Sequence, residues 1–144
     1  MLKFVDHIGI AVEDLEAAIA AYKACGLTNV GPIEEVVEQG VKVVMIQCGE
    51  TCLELLQATG PDSPVAKYIE KRGYGIHHVA YRVDDVAAAM EAVTSQGRRA
   101  LSAAPRHGHA GSLVCFLHPK DMGGVLTELV ERPAGSPQHP PYAH

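Results

Sequence analysis

The chain contains two similar stretches of twenty-one residues, and this internal repeat limits the possible folds more than any other feature. DHIGIAVEDLEAAIAAYKACG begins at position 6, and HHVAYRVDDVAAAMEAVTSQG begins at position 77. When His7 is aligned with His78, the offset stays at 71 residues as far as Gly26 and Gly97. Seven of the twenty positions in that alignment are identical. Such a repeat predicts two copies of one supersecondary unit that pack against each other.

Each copy begins with an alternating strand, HIGIAV or HVAYRV, and continues into a helix. Asp14 and Asp85 suit the N-caps of these helices, and Gly26 and Gly97 suit their left-handed ends. Further strands follow, among them a hairpin of VKVVMIQC and TCLELLQ in the first copy and SLVCFLH with GVLTELVE in the second. The unit is therefore βαβββ, present twice, and the fold class is α+β.

The length of 144 residues predicts one domain, over 1–132. Module one covers about 4–58 and module two about 75–132. Between them, GPDSPVAKYIEKRG predicts a linking helix over about 62–73, with Ser63 as its N-cap and Gly73 as its end. Residues 133–144 form a Pro-rich tail, and we expect no structural role for its His139 and His144.

Composition excludes several classes of protein. The net charge of −5 and the scattered basic residues argue against binding to nucleic acid. The four cysteines have no metal-knuckle or CxxC spacing, so we interpret them as small buried apolar residues in a reducing compartment. No signal peptide or membrane span is recognisable, and we therefore predict a cytoplasmic protein that does not bind membranes.

The period of two in the first strand places His7, Gly9 and Ala11 on one face. In the second copy, the corresponding face carries His78 and Ala80. The opposite, apolar faces are expected to pack on the helices. Small residues beside each histidine predict open space on the histidine face.

The last strand of each module carries an acid within an apolar run: Glu54 in CLELL and Glu128 in LTELV. A lone carboxylate in such a place would be costly unless it is paired or bound to a metal. If the modules pack about a pseudo-twofold axis, His7, His78 and both acids converge. Two imidazoles and two carboxylates suit a divalent ion such as Co, Ni, Mn, Fe or Zn. Of the adjacent pair, alignment with His7 selects His78, because His77 should point to the other face.

With these residues, the chain resembles the vicinal oxygen chelate superfamily, whose fold pairs βαβββ modules in a cupped mixed sheet. Three stretches resemble methylmalonyl-CoA epimerases in particular: ELLQATGPDSPVAKYIEKRGYGIHHVAYRVDD, PRHGHAGSLVCFLHPKD and GGVLTELVE. The likeness extends to about Glu131. It implies metal ligands at His7, Glu54, His78 and Glu128, with Co the expected ion and Ni, Mn or Zn as alternatives.

The resemblance implies epimerisation of methylmalonyl-CoA at C2, in propionate metabolism, by a homodimer. A metal would stabilise the enolate, and Glu128 is the expected base, with its pKa raised by burial. In the best-described branch of the family a second Glu occupies the position of Val43. Lys42 beside it should face away, which leaves Glu38 or a metal-bound water as candidates.

Basic residues are available for the CoA phosphates, and Lys120 and Arg106 are preferred because they lie in motif-like loops. The others are Lys67, Lys71 and Arg72. The HGHAGS loop could approach substrate through Gly108 and Gly111, or be a simple turn.

Three other functions stay open. A glyoxalase I-type lactoylglutathione lyase would use the same four ligands. A metal-free binding protein would need none of them. A ring-cleaving dioxygenase would use iron with two His and one carboxylate, commonly in a longer chain.

Overall fold

A computed structural model describes residues 1–136. The strands within them are β1 (Val5–Ala11), β2 (Glu34–Val36), β3 (Val41–Cys48), β4 (Thr51–Ala58), β5 (Gly75–Arg82), β6 (Arg106–His107), β7 (Leu113–Leu117) and β8 (Thr127–Glu131). The helices are α1 (Leu15–Ala24), α2 (Pro64–Arg72) and α3 (Val86–Thr94). Most of the predicted tail, with His139 and His144, lies outside the described residues.

The eight strands form one mixed sheet in the order β2-β3-β4-β1-β5-β8-β7-β6. β1 runs parallel to β4 and β5 runs parallel to β8, whereas β1 and β5 are antiparallel at the centre of the sheet. Each module therefore contributes four neighbouring strands, and the two halves are related across the β1–β5 pair. The predicted pairing of two βαβββ modules in a mixed sheet is confirmed.

The helices begin and end at the residues that the sequence indicated. The side chains of Asp14, Asp85 and Ser63 each accept a hydrogen bond from a backbone N–H group in the first turn of α1, α3 and α2. Gly26 and Gly97 follow α1 and α3 with φ of 95° and 84°, the left-handed conformation that glycine adopts without steric cost.

The helices α1 and α3 cover the outer face of the sheet. Leu15 of α1 packs with Val44, Ile46 and Leu55, and Leu55 has no exposed surface. On module two, α3 packs on a second cluster that consists of Val83, Val86, Ala89, Cys115, Leu117 and Leu129. Each fully buried leucine contributes about 1.5–3 kcal/mol relative to an exposed one. This packing holds the strands from outside and leaves the inner face for other side chains.

The prediction that all four cysteines are buried is wrong for two of them. Cys52 and Cys115 are buried, but Cys25 and Cys48 are exposed, because Cys25 caps the end of α1 and Cys48 precedes the β3–β4 turn. All four are free thiols in the described part of the chain. Among residues 1–136, no helix has the length and apolar character needed to cross a membrane.

Candidate metal and active site

The four central strands each bring one polar side chain to the same point on the inner face of the sheet. These are His7 on β1, Glu54 on β4, His78 on β5 and Glu128 on β8. All four are buried, and their ligating atoms lie within 4.8 Å of one another. The structure thus brings together the four residues that the repeat had selected, and below we call them the His/Glu cluster.

The distances within the His/Glu cluster are those of donors that face a common centre. The Nε2 atoms of His7 and His78 are 3.1 Å apart. A carboxylate oxygen of Glu128 lies 3.3 Å from Nε2 of His7 and 2.8 Å from Nε2 of His78. Glu54 is 3.6 Å from both Nε2 atoms. Two imidazole nitrogens and two carboxylate oxygens at this spacing fit one divalent transition-metal ion, with coordination positions left for substrate.

Strand register explains why the side chains converge. On β1, Gly9 is paired with Glu54 of β4 on one side and with His78 of β5 on the other. On β5, Ala80 is paired in the same way with His7 and Glu128. A residue with little or no side chain therefore stands between each histidine–glutamate pair, which lets the two larger side chains lean over it and meet.

The space predicted beside the histidines is filled by one of them. A Cβ atom placed on Gly9 would lie 2.7 Å from Nε2 of His78 and closer still to two other atoms of that ring. The imidazole of His78 therefore rests directly on the backbone of Gly9, and a glycine is required there.

A β-bulge precedes each histidine of the cluster. The register of the β1–β5 pair shifts between Val5 and His7, so that Asp6 is the unpaired residue. It shifts again where Gly9 pairs with His78 but the next residue of β1 pairs with Ile76, which leaves His77 unpaired. Bulges re-aim side chains, and a period of two fails at these positions.

Asp6, which sequence reasoning missed, supports His7 from behind. Its carboxylate is fully buried and accepts a hydrogen bond of 2.7 Å from Nδ1 of His7. Arg82 donates to the same carboxylate at 3.1 Å and Arg132 at 2.6 Å. Asp6 comes from module one, whereas Arg82 ends β5 and Arg132 follows β8 in module two, so this network also joins the modules. The DH dipeptide is the sequence feature that could have indicated this contact, but strict alternation of side chains along the strand places Asp6 on the outer face.

His77 lies outside the His/Glu cluster, as predicted, but the expectation that it faces away from His78 is wrong. Because His77 sits in the bulge, it is buried, and its Nδ1 is 2.8 Å from Nδ1 of His78. Its ring also packs against Tyr68 of α2, with centroids 4.3 Å apart. Desolvation and the neighbouring His78 lower the pKa of His77 to about 3, so its imidazole is neutral at pH 7.

Charges within the cluster perturb two further groups. Burial lowers the pKa of His7, but Glu54, Glu128 and Asp6 outweigh it and raise this pKa well above its ordinary value. The expectation that burial raises the pKa of Glu128 is wrong in its outcome. Burial does act in that direction, but the adjacent histidines His7 and His78 outweigh it and hold the pKa of Glu128 well below its usual range. Glu128 is therefore ionised at neutral pH.

A cavity of about 500 Å³ opens onto the His/Glu cluster. Its wall includes His78 and His77, and Arg106 lies in it as the sequence suggested. Lys71, one of the alternative basic residues, also lines it. Lys120 is exposed and lies beside the wall, next to the lining residue Pro119.

The candidates for a second base are not at the cluster. Val43 is buried among Val41, Leu56 and other apolar side chains of module one. Lys42 is exposed, in agreement with its predicted outward direction. Glu38 is exposed as well, and it accepts hydrogen bonds from the backbone and ring of His107 at 3.1 Å.

The HGHAGS loop closes the seam between the two ends of the sheet. Glu34 of β2 contacts Nε2 of His109 and accepts from the backbone N–H group of Ala110, at 3.1 and 3.0 Å. Ala110 is the single non-glycine residue with positive φ among the described residues. A Cβ atom placed on Gly108 would lie 2.6 Å from Oγ of Ser112 and 2.9 Å from a methyl carbon of Val114, so the loop leaves no room for a side chain there.

Comparison with known proteins adds two kinds of relative. The model of the Glyoxalase/Bleomycin resistance protein/Dioxygenase superfamily matches residues 6–116. An ethylmalonyl-CoA/methylmalonyl-CoA epimerase of Cereibacter sphaeroides is 42% identical over 131 residues, which are 90% of this chain and 98% of that protein. The mitochondrial methylmalonyl-CoA epimerase of Homo sapiens is 42% identical over 126 residues, which cover 87% of this chain and 72% of that one.

Solved structures agree in fold. A variant of Streptomyces coelicolor methylmalonyl-CoA epimerase in complex with 2-nitronate-propionyl-CoA superposes with a TM-score of 0.88 at 42% identity, over 93% of this chain and all of that one. A methylmalonyl-CoA epimerase in complex with methylmalonyl-CoA and NH4+ gives a TM-score of 0.86 at 42% identity, over 93% and 97% of the two chains.

Proposed function

Because the chain belongs to the methylmalonyl-CoA epimerase family of the glyoxalase/bleomycin resistance protein/dioxygenase superfamily, we propose that it interconverts the two C2 epimers of methylmalonyl-CoA. The observation that carries this proposal is the His/Glu cluster at the wall of a cavity of about 500 Å³. A malonyl-type thioester has a proton at C2 between two carbonyl groups, and the cluster offers both a metal site and a carboxylate base for that carbon.

The metal ligands in this proposal are His7, Glu54, His78 and Glu128. The resemblance to the family makes Co the first expected ion, with Ni, Mn or Zn as alternatives, and all of these accept imidazole and carboxylate donors. The chemistry that such an ion supplies when bound is Lewis-acid stabilisation of negative charge on the substrate oxygens.

Glu128 is the base in this proposal. Its pKa is held low by the two histidines beside it, so it is ionised and has oxygen lone pairs available at neutral pH. The proton leaves C2 for a carboxylate oxygen of Glu128, and the C–H electron pair becomes the π system of the enolate. The same low pKa makes the protonated Glu128 a ready donor when the proton returns to carbon.

Inversion needs a proton donor on the opposite face of the planar enolate, and module one offers few side chains that could donate a proton there. Apart from His7 and Glu54, which this proposal assigns to the metal, the described residues of β1 to β4 and their connections contribute only Gln39 and Leu56 to the cavity wall, and neither titrates. Val43 stands where the best-described branch of the family has a Glu. We propose that solvent in the cavity supplies the proton for that face.

For the rest of the substrate, Arg106 in the cavity wall and Lys120 beside it bind the CoA phosphates. The protein acts as one domain over residues 1–132, as a homodimer in the cytoplasm, in propionate metabolism. Size-exclusion chromatography with light scattering tests the dimer directly.

The experiment that tests this function follows the C2 proton of methylmalonyl-CoA by NMR in D2O with Co(II)-loaded protein. We expect catalysed deuterium incorporation, its loss in Glu128→Gln, and its retention in the matched control Glu91→Gln on the exposed side of α3. After a single turnover in D2O, the inverted product should carry deuterium at C2, because in this proposal solvent supplies that hydrogen.

Other outcomes identify the alternatives. Tight Co(II) binding without exchange at C2, together with turnover of methylglyoxal and glutathione, would assign the protein to the lactoylglutathione lyases. No bound metal after purification and no affinity for Co(II) would indicate a small-molecule-binding protein of the same fold.

A further inference from the structure

The residue before each cluster histidine occupies a β-bulge and contacts Nδ1 of that histidine. Asp6 is 2.7 Å from Nδ1 of His7, and His77 is 2.8 Å from Nδ1 of His78. Asp6 and His77 are themselves equivalent in the repeat, at the same offset of 71 residues. The two modules therefore provide the same support at the same place, with a carboxylate in one and an imidazole in the other.

From this arrangement we infer that Asp6 and His77 are paired positioning residues that keep a proton on Nδ1 of His7 and of His78. The inference rests on the proposed metal site. A neutral imidazole carries one N–H group, so a hydrogen bond that fixes it at Nδ1 leaves the Nε2 lone pair free as a ligand. Both Nε2 atoms already face the centre of the cluster, 3.1 Å apart.

Asp6 can serve this role because both of its carboxylate oxygens accept hydrogen bonds from buried donors. Its Oδ1 accepts from Nε of Arg82 at 3.1 Å, and its Oδ2 accepts from Nη2 of Arg132 at 2.6 Å and from His7. Two guanidinium groups fix the carboxylate from behind and leave it no freedom to turn away. His7 must therefore present an N–H group at Nδ1.

His77 serves the same role without a charge. The Nδ1 atoms of His77 and His78 are 2.8 Å apart, a hydrogen-bond distance that requires one proton between them. In our inference His78 carries this proton, and the lone pair on Nδ1 of His77 accepts the hydrogen bond. The ring of His77 is held in place by Tyr68 of α2, whose centroid is 4.3 Å away. His7 is thus supported by a carboxylate and His78 by a second imidazole.

The substitution Asp6→Asn tests the first half, because an amide cannot satisfy all the donors around it. If the amide oxygen faces His7, the NH2 group faces the guanidinium of Arg82, where donor meets donor. If the NH2 group faces His7, Nδ1 must accept, and the proton moves to Nε2, where it blocks the metal. Either arrangement weakens the site, and we expect the Kd for Co(II) to rise about 10- to 100-fold.

For the second half, two substitutions of His77 form a matched pair. His77→Phe keeps an aromatic ring against Tyr68 but removes the acceptor, and we expect Co(II) binding to weaken about tenfold. His77→Asn restores an acceptor oxygen close to the position of Nδ1 and should recover most of the lost affinity.

The direct readout is the proton NMR spectrum of the Co(II)-loaded protein in H2O and D2O. Each ligand histidine with a protonated Nδ1 gives one hyperfine-shifted, exchangeable N–H signal, so the parent protein should show two that exchange slowly. Asp6→Asn should remove or speed the exchange of one, and His77→Phe of the other. Asp84→Asn, at an exposed aspartate paired with Lys3 at 2.8 Å, is the matched control and should keep both. A purely structural role would lower thermal stability without this selective change.

The outcomes separate this inference from the proposed function. If the parent binds Co(II) and both variants keep its affinity and both signals, the positioning roles are overturned while the metal site stands. If the parent does not bind Co(II), the metal site and the positioning roles fail together. Should Asp6→Asn not fold, the parent spectrum decides: the N–H signal that survives in His77→Phe belongs to His7, and its rapid exchange with solvent overturns the role of Asp6.

Discussion

Replacement of Gly9 by alanine should remove the metal site while it leaves the fold intact. Gly9 lies at the centre of the sheet with ordinary backbone angles, so an alanine is not strained there by its own φ. The nearest obstacle is the ring of His78, whose Nε2 would be 2.7 Å from the new methyl group. Non-bonded carbon and nitrogen atoms need about 3.5 Å, so the ring must move by roughly 1 Å or more.

A displacement of this size is too large for a metal ligand to remain in place, but small enough for the protein to keep its fold. Metal–ligand distances tolerate only about 0.2 Å, so the moved Nε2 no longer binds in place with its partners. We expect the Kd for Co(II) to rise at least about 100-fold, equivalent to about 2.7 kcal/mol. The ring can swing about its side-chain torsions, and overpacking of this kind costs about 1–3 kcal/mol of stability in the metal-free protein.

The assay is a Co(II) titration followed by visible absorbance and calorimetry, alongside urea unfolding of the metal-free protein. Gly60→Ala is the matched control, because a Cβ at Gly60 has no neighbour within 4 Å and its φ is also ordinary. Its Kd should equal that of the parent. If Gly9→Ala binds Co(II) with the parent affinity and the parent absorption spectrum, the contact between Gly9 and His78 does not set the position of the ligand.

Three further predictions concern protonation and substrate. Burial lowers the pKa of His7, but the neighbouring carboxylates raise it well above normal, so a metal must displace a proton from His7. The affinity for Co(II) should therefore rise with pH, by up to about tenfold per pH unit. Calorimetry in buffers of different ionisation enthalpy counts the released protons, and an affinity that is flat from pH 6 to 8 would contradict this prediction. The pKa of His77 is lowered by burial from 6.5 to about 3, so between these values the unfolded state binds more protons and stability falls with decreasing pH. At pH 5 the loss of unfolding free energy from His77 is about 2 kcal/mol. In urea unfolding of the metal-free proteins, His77→Asn should therefore lose less stability than the parent between pH 6.5 and 5. Equal losses in the two proteins would refute this prediction. Finally, Arg106→Ala should raise KM for methylmalonyl-CoA with kcat nearly unchanged. Lys120→Ala should raise KM less, because Lys120 lies outside the cavity wall. Steady-state kinetics with the reverse order of effects would place the CoA phosphates elsewhere.

The composition of the His/Glu cluster could be predicted because the repeat supplied a second, independent copy of each signal. One histidine on a strand says little, but His7 and His78 at the same place in two modules, with Glu54 and Glu128 on the last strands, require a common centre. The same reasoning explains the small residues, although it predicted open space where the ring of His78 now lies on Gly9.

The support of the cluster could not be predicted, because it depends on departures from regular geometry. Alternation sends Asp6 and His77 to the outer face, and only the two bulges return them to the histidines. Arg132 lies 126 residues from Asp6 in the chain, and only the pairing of β5 with both β1 and β8 brings it within reach. The pKa of Glu128 was likewise misjudged, because burial raises it but the adjacent histidines lower it further.

The sequence by itself determined the two modules, their caps and the residue types of the site, since these depend on local periodicity and on a repeat that is written in the chain. The tertiary structure decided the bulges, the carboxylate–guanidinium network and the net charge balance at each titratable group. These features arise from contacts between residues far apart in sequence, where a shift of one position in strand register reverses the direction of a side chain.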